Sequence, residues 1–513
     1  MLHLLPLTLL LSPLAPAAPA QEPEPAPEAA PSVPGIVGLT LEDVVRLAAE
    51  SGPALQQARL QSLAAAGEIL EADGTFDPVL FADLTYTFAE APASGFFTNF
   101  GNTESKSFVA NQGIRQALST GGSLTLTINE QFSEQNFLLE PQASVNAGIE
   151  FTQPLLRGAW NLTATQALVA AGLRSDRELA GVRQAQLDVV QAAVDAYWDL
   201  SYALADLEVK RRSLALADGL RELTEAKYRV GAVAEVEVVQ TEADIATRTD
   251  ALLTAAKAVD TAEDQLRVLL YGLADGSEWD LKLRPRTEAP APSPQDLGWE
   301  AAFADAREFR ADLRQLRIDV ETAELDWQVA KRGTKPKLDF TASGSYTSQE
   351  SQVGDAFDAL SDRDFPGYTL GLVFEMPLGN QTFEGAEVRT RYRMQLARRQ
   401  LRDRENEVAN EVREAVRDLR YNAERVSVTA TARDVAARQL EAEQLRLREG
   451  ASTNFQVLQF QTDLAAAESS AARARADYAK ALTRLNLVRG LDWEGSRPDL
   501  ADLDRYRPDG GSR

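Results

Sequence analysis

Cysteine is absent from the 513-residue chain, and histidine occurs once, as His3. Without cysteine there are no disulfides, thiol nucleophiles, iron–sulfur ligands or lipid-modified N-terminal cysteines. His3 falls in a segment that we predict to be removed, so the mature chain would also lack Ser-His-Asp triads, HExxH zinc sites and histidine-ligated haem. We therefore expect no metal or cofactor, which leaves carboxylate chemistry or interaction as possible functions.

Positive charge is also scarce, because 53 Lys and Arg residues face 77 Asp and Glu residues, for a net charge of −24. This excess argues against nucleic acid or an anionic membrane surface as the main partner. Beyond the N-terminus there is no run of about 18 apolar residues, so no transmembrane α-helix is expected. What dominates instead is Ala, Leu, Glu, Arg and Gln in long stretches, a composition that favours very long helices.

The N-terminal region reads as an export signal. Residues 1–20 contain a short apolar run that ends in Ala18-Pro19-Ala20, as in a secretory signal peptide, although no Lys or Arg precedes the apolar core. Residues 21–38 are rich in proline and are predicted to form a disordered linker. At the other end, residues 491–513 are predicted to be a polar tail.

The rest of the chain repeats itself once, at an offset of about 220 residues. Phe151-Thr152-Gln153-Pro154-Leu155 recurs as Phe374-Glu375-Met376-Pro377-Leu378, and Tyr228-Arg229-Val230-Gly231 recurs as Leu447-Arg448-Glu449-Gly450. A linker rich in Pro, Ala and Ser, residues 284–295, separates the copies. We therefore predict two structural repeats, residues 39–283 and 296–490.

Each repeat opens with an amphipathic helical stretch, at about 39–72 and 296–332, followed by alternating segments. In residues 80–88, for example, the apolar side chains share one parity and the polar ones the other, which predicts a strand with two unlike faces. Such a strand fits either a soluble β-sandwich or a membrane wall with lipid outside and water inside. The export signal and the polar loops favour the membrane. The predicted strands lie at about 80–88, 107–118, 123–132, 145–153, 338–346 and 368–375.

Two proline-free stretches, about 160–230 and 380–448, have apolar residues spaced by three and four. At 1.5 Å per residue each predicts a helix about 100 Å long. A shorter helix returns after Gly231 and after Gly450. By pattern alone these hairpins fit a structural coiled coil as well as a channel. Two hairpins cannot cover all their apolar stripes alone, so we expect oligomerisation.

The order of helix, strands, F-x-x-P-L, very long helix, glycine turn and returning helix, performed twice, resembles the TolC-like outer-membrane efflux channels. The resemblance covers the chain from about Leu39 to Gly490. Its most specific parts are the two glycine turns and the residues after them, Tyr228–Val238 and Leu447–Leu458.

The resemblance implies a mixed α and β membrane protein without enzymatic activity. Three copies would form an α-barrel tunnel of long antiparallel helices across the periplasm and a joint transmembrane β-barrel in outer-membrane lipid. Such a homotrimer is a passive conduit for efflux or type I secretion, which a periplasmic adaptor couples to an inner-membrane transporter in a Gram-negative-type bacterium. No nucleic acid is expected as a partner.

The resemblance also implies roles for residues near the turns. The adaptor would dock on the turns themselves, at Tyr228, Val230, Gly231, Ala232, Gly450, Ala451 and Ser452. The closed pore would narrow just beyond them, at Glu237, Gln240, Gln456 and Gln459. Because only Glu237 is acidic, any electrostatic ring would be modest, and this carboxylate fits a solvated helix face equally well. Pro154 and Pro377 are predicted to mark the change from strand to helix.

The first β segment departs from the family, in which each protomer contributes four barrel strands. Pro78 to Phe151 is about 35 residues longer than Pro336 to Phe374, and Ser119-Thr120-Gly121-Gly122 lies within it like a hairpin turn. The extra hairpin either joins the barrel, giving six strands per protomer, or stands outside it. Two other functions remain as alternatives: a periplasmic coiled-coil adaptor or scaffold, and an enzyme with paired carboxylates such as a glycosidase.

Overall fold

The structure, a computed structural model, describes residues 35–92, 102–135, 141–271, 277–293, 298–362 and 365–497. The predicted signal peptide, most of the proline-rich linker and most of the polar tail lie outside these residues.

Two helices far longer than those of ordinary globular domains organise the chain. They are α4 (Gln166–Arg229, 64 residues) and α9 (Gln381–Arg448, 68 residues). At 1.5 Å per residue they extend about 96 Å and about 102 Å. Each is followed by a shorter antiparallel helix, α5 (Glu235–Tyr271) or α10 (Asn454–Val488). The predicted long helical hairpins are confirmed.

The cores of these hairpins lie near their middle. Val194 and Tyr197 on α4, and Val408 and Val412 on α9, are fully buried at the apolar spacing seen in the sequence. Around Tyr197 the core gathers side chains from several helices, including Ala476 and Ala479 of α10. The two repeats therefore share a core.

The opening stretch of the first repeat is divided in two. It forms α1 (Leu41–Ser51) and α2 (Pro53–Asp73), whereas one continuous helix was predicted. The break occurs at Gly52–Pro53, because a proline lacks the N–H that would continue the helix and is well placed as the first residue of a new one.

The second repeat is divided in the same way, into α6 (Trp299–Phe309) and α7 (Ala311–Gly333), so one continuous helix was again the wrong prediction. No proline causes this break. Arg310 between the helices is extended, with φ −69° and ψ 128°, and is 9% exposed. Gly490, at φ +78°, packs directly against it, since a Cβ there would lie 2.6 Å from the carbonyl carbon of Phe309.

Six antiparallel strands form one sheet in the order β2-β3-β4-β5-β7-β8. The extra hairpin, whose position the sequence left open, consists of β3 and β4. Both strands lie inside the sheet. The first repeat supplies four of these strands and the second supplies two. The strands are β2 (Val79–Pro92), β3 (Asn102–Ala117), β4 (Ser123–Gln135), β5 (Gln142–Pro154), β7 (Lys337–Glu350) and β8 (Pro366–Glu375).

The register gives this sheet one apolar and one polar face. Leu80 of β2 is level with Ile114, Leu126, Ile149 and, across the sheet, Tyr368. The next residue on each strand points to the other face, because strand side chains alternate. That face carries, for example, Asp83, Asn111, Asn129, Asn146 and Thr347 at one level.

A second, two-stranded sheet joins the N-terminal segment to the linker between the repeats. Its strands, β1 (Ile36–Leu39) and β6 (Lys282–Pro285), pair in parallel. Two short α-helices are α3 (Asn161–Ala164) before α4 and α8 (Val353–Ala359) between β7 and β8. Short 3-10 helices lie at Gly74–Phe76, Ser277–Asp280 and Leu360–Asp362. Among the described residues, no helix combines the length and the apolar character needed to cross a membrane.

Candidate functional site

The two turns that end the long helices have the same backbone geometry. After α4, the N–H of Gly231 donates to Tyr228 (2.8 Å) and the N–H of Ala232 donates to Lys227 (2.9 Å). After α9, Gly450 donates to Leu447 (3.3 Å) and Ala451 to Arg446 (2.8 Å). Gly231 and Gly450 have φ angles of +76° and +75°. Both turns are therefore Schellman motifs, in which glycine takes the left-handed conformation and the last helical carbonyls are satisfied.

The surface of these turns is open. Val230 is 78% exposed and Tyr228 is 44% exposed, and a Cβ placed on either turn glycine would meet no atom within 4 Å. Ala232 and Ala451 are also exposed. The residues predicted to dock an adaptor therefore form an accessible tip, with exposed Val236 and Phe455 beside them.

The two turns differ in their side chains. Tyr228 is exposed, but its counterpart Leu447 is buried with Leu440, Val457 and Leu458. Thr453 caps α10 by accepting a hydrogen bond from the N–H of Gln456 (3.4 Å). Its neighbour Ser452 instead bonds Glu443 (2.5 Å). The second turn is thus held by more side-chain contacts than the first.

Of the predicted constriction residues, one links the two turns of the protomer. The Asn454 amide donates to the Glu237 carboxylate (2.8 Å) and to the Thr224 hydroxyl (3.1 Å). Asn454 and Thr224 are buried, and Glu237 is half-buried. Glu237 is therefore a partner in a contact between the hairpins, and not a simple solvated carboxylate.

The other three constriction residues, Gln240, Gln456 and Gln459, are exposed. Gln459 bonds Asp463 one helical turn away (3.0 Å), and Gln456 bonds Ser452 (2.9 Å). Their side chains are thus near the turns and reach solvent in the single protomer.

A buried arginine behind the turns was missed by the sequence reasoning. Arg248 of α5 is 7% exposed and pairs with Asp244 (2.5 Å). It also donates to the carbonyl of Ser213 on α4 (3.0 Å) and to that of Leu458 on α10 (3.3 Å). Arg248 thereby fastens both hairpins together above the turns. An arginine within an apolar helix seam was the available signal.

The prolines lie where the strands give way to the long helices. Pro154 is the last residue of β5, and Pro377 lies two residues after β8 ends at Glu375 and four before α9 begins at Gln381. Asn380 precedes α9 in a left-handed conformation, and its side chain makes no bond to the helix start but donates to the carbonyl of Thr334 (2.9 Å).

Carboxylates on the helices have contrasting environments. Burial raises the pKa of Asp195 on α4 above its usual range, against the opposing charge of Lys480. Burial also acts to raise the pKa of Asp312, but hydrogen bonds and positive charge from Arg310 and Arg404 outweigh it and hold that pKa below its usual range. Among the described residues, no cluster of three His, Cys, Asp or Glu side chains could hold a metal ion.

A family model described as "Outer membrane efflux protein" matches residues 123–270 and 303–491, about two thirds of the chain. The chain belongs to the outer membrane efflux protein family. The two matched segments fall in the two repeats and include both glycine turns. This places the protein in the outer membrane of a Gram-negative bacterium, from which it extends into the periplasm.

Proteins similar to this chain agree with the family. The chain is 24% identical over 341 residues to the pyoverdine export outer membrane protein OpmQ of Pseudomonas aeruginosa, a match that spans 62% of this chain and 65% of that protein. The fold is similar to that of the Campylobacter jejuni CmeC outer membrane channel, with a TM-score of 0.67, 14% identity and 91% and 89% of the two chains covered. It is also similar to the outer membrane protein VceC of Vibrio cholerae, with a TM-score of 0.62, 18% identity and 88% and 96% covered.

Proposed function

We propose that this efflux protein forms a homotrimeric, non-enzymatic export duct across the periplasm and outer membrane. A periplasmic adaptor would join the duct to an inner-membrane transporter of an efflux or type I secretion system. The observation that carries the proposal is that the two ends of the protomer differ. The open glycine turns lie at one end of the long helices, and the sheet with one apolar and one polar face lies at the other end.

The sheet supports a joint barrel because each of its two edge strands is paired on one side only. In the described part of the chain, β2 and β8 each pair on one side only. Exposed strand edges are templates for further pairing, and lipid tolerates no unpaired backbone. Pairing of β8 of one protomer with β2 of the next would close the sheet around a three-fold axis. The apolar face would then meet outer-membrane lipid and the polar face a water-filled lumen.

Paired strands of this kind also favour the duct over the alternative function of a coiled-coil adaptor. An adaptor would share the helical hairpins but was expected to lack paired alternating strands. A carboxylate enzyme would need two acidic side chains across a cleft, and the family and its structural neighbours are channels.

Conductance of the purified, detergent-extracted protein in a planar bilayer tests the duct, together with unheated gel mobility for its oligomeric state. We expect discrete channel steps from a trimer. A soluble, non-conducting species would refute the duct and favour the scaffold.

The docking surface has its own test. Val230→Glu places a charge on a residue that is 78% exposed, so folding should be unaffected. We expect export in cells to fall at least about tenfold while bilayer conductance stays normal, because one buried unpaired charge in a contact costs several kcal/mol. Val230→Thr, which keeps the shape, is the matched control. Replacing Gly231 and Gly450 by bulky residues should have the same effect; intact trimers that still export would contradict docking at the turns.

The constriction proposal places three Glu237 carboxylates near the closed end of the duct, where they would favour cations. Glu237→Gln should therefore reduce cation selectivity in the bilayer. An unchanged selectivity would remove Glu237 from the pore lining.

A further inference from the structure

The two repeats of this chain differ most in their strands. In the second repeat, β7 leaves α7 and β8 enters α9, with no strand between them in the sheet. In the first, β2 leaves α2 and β5 enters α4, and the hairpin β3–β4 lies between them. The first repeat therefore has one hairpin more than the internal duplication requires.

This extra hairpin is fully incorporated in hydrogen bonding. The β2–β3 ladder runs from Val79–Arg115 to Pro92–Asn102, and the β4–β5 ladder from Ser123–Thr152 to Ser133–Gln142. Without β3 and β4, β2 and β5 would each lose their only neighbour on that side. The hairpin is consequently part of the wall of the sheet.

Its turn is fastened to the junction between strand and long helix. The Thr120 carbonyl accepts hydrogen bonds from the Trp160 N–H (2.9 Å) and from the Gln153 side-chain amide (3.0 Å). The Thr120 hydroxyl bonds the Gln153 side-chain oxygen (2.7 Å). The turn thus lies at the periplasmic end of the sheet, beside the start of the helices.

The opposite end is fastened by α8. Ala356 of α8 is fully buried against Ala143 and Val145 of β5, and Ile128 and Phe132 of β4 pack against the same cluster. The Ser348 hydroxyl of β7 hydrogen-bonds the Ala356 carbonyl. One small core therefore joins the extra hairpin to strands of both repeats.

The hairpin also has the two unlike faces of the other strands. Phe108, Ile114, Leu126 and Ile128 lie on the apolar face, and Asn129 is on the polar face beside Asn146 of β5. Such alternation is required of a strand between lipid and water, and it is not needed in an extramembranous loop.

We propose that the extra hairpin widens the outer-membrane pore, so that three protomers close an eighteen-stranded barrel. Strands about 4.8 Å apart and tilted by about 40° give eighteen strands a backbone diameter of about 36 Å, against about 24 Å for twelve. The helical tunnel gains no helix from the hairpin. The size limit for cargo therefore falls in the helices and their turns, and the outer-membrane section accepts solutes too wide for a twelve-stranded pore.

This inference rests on the proposed trimeric duct, and the absence of cysteine allows a test that separates the two. Single cysteines are placed on β4 at Asn129→Cys and Leu126→Cys, and on β5 at their direct partners, Asn146→Cys and Ile149→Cys. The reconstituted trimer is treated with a membrane-impermeant, charged thiosulfonate. The β5 pair is the matched control, because β5 belongs to the wall in either arrangement.

We expect Asn129→Cys and Asn146→Cys to react at similar rates and to lose conductance when labelled. Leu126→Cys and Ile149→Cys, which are 44% and 47% exposed in the single protomer, should react at least tenfold more slowly because lipid covers them. Equal reaction of Leu126→Cys and Asn129→Cys, with the contrast kept on β5, would place the hairpin outside the wall and overturn the proposal while the duct stands. Loss of the contrast on β5 itself would overturn the duct.

Polymer exclusion measures the width directly. Neutral polymers about 24 Å across, added on the outer-membrane side, should enter the mouth of an eighteen-stranded barrel and change its conductance. The same polymers added at the turns should have no effect. Exclusion from both sides would refute the wider barrel.

Discussion

Tyr197→Phe removes one hydroxyl from the centre of the molecule. Tyr197 is fully buried, with its ring edge-on to Trp198 at 5.2 Å. Its hydroxyl donates to the Leu39 carbonyl (3.3 Å) and accepts from the N–H groups of Arg286 (3.1 Å) and Thr287 (2.9 Å). A single α4 side chain therefore holds the N-terminal strand β1 and the linker that follows β6.

The cost can be estimated bond by bond. Arg286 N–H also donates to the Leu39 carbonyl (2.9 Å), so both groups keep a partner in the variant. Thr287 N–H loses its bond to the hydroxyl, but Thr287 is exposed, so the loss is that of an ordinary hydrogen bond, about 0.5–1.5 kcal/mol. We therefore expect about 1 kcal/mol of local destabilisation, with no cavity term because the ring remains.

Tyr478→Phe is the matched control in the second repeat. Tyr478 is 2% exposed, but its hydroxyl accepts one longer bond, from the Ser293 N–H (3.3 Å). The expected loss is about 0.5–1 kcal/mol, and it should be confined to the linker near Ser293.

Amide hydrogen exchange followed by mass spectrometry measures these local stabilities. In Tyr197→Phe, peptides covering 36–39 and 282–287 should exchange about fivefold faster, which is what 1 kcal/mol implies at 1.36 kcal/mol per factor of ten. In Tyr478→Phe the same peptides should be unchanged. Unaltered exchange in the first variant, or equal acceleration in both, would refute the hydrogen-bond reasoning.

Three further outcomes are expected. Asp312→Asn should lower stability by about 2–3 kcal/mol at neutral pH, since it weakens a largely buried ion-pair network. Folding lowers the pKa of Asp312, so the native protein gains this stability only where the carboxylate is ionised. The variant should therefore melt below the native protein well above pH 3.8, and the difference should disappear as the pH falls through the folded pKa. Asp195→Asn should have the opposite sign: the raised pKa means that ionised Asp195 weakens the fold, so the variant should melt higher at neutral pH and match the native protein in acid. Asn454→Ala removes the bond to the Glu237 carboxylate, worth about 1.5 kcal/mol or more, and should speed amide exchange at the two turns about tenfold. Gln184→Ala, whose amide bonds Asp188 on its own helix, is its control and should leave exchange at the turns unchanged.

Local periodicity in the sequence determined most of the secondary structure. The spacing of apolar residues by three and four over about 70 residues has one stable solution, a long helix, and α4 and α9 end within a residue or two of the predicted glycine turns. The alternating segments likewise became strands at all six predicted places. Such patterns are readable because they depend on neighbours a few residues apart.

Breaks without a local signal were decided by packing. The division at Arg310 has no proline, and it depends on the approach of Gly490 and on ion pairs with Asp312 and Glu411. Neither Gly490 nor Glu411 is near Arg310 in the sequence. The same helical pattern, read locally, predicts an unbroken helix.

The arrangement of the candidate site also required the tertiary structure. Asn454 and Glu237 are 217 residues apart, and Arg248 reaches a carbonyl 210 residues away. The duplicated turns were visible as Tyr228–Gly231 and Leu447–Gly450, but no local rule pairs the residues around one turn with those around the other. Long-range contacts depend on how two separately formed hairpins pack.

The extra hairpin shows most clearly which features the sequence determines and which require the tertiary structure. The sequence by itself determined that β3 and β4 exist, that a Gly-Gly turn joins them and that each has an apolar and a polar face, because these are properties of a strand and its neighbouring residues. Only the tertiary structure decided that the hairpin lies between β2 and β5, since strand order is set by pairing between distant segments and by the contacts of Thr120 and α8 at its two ends.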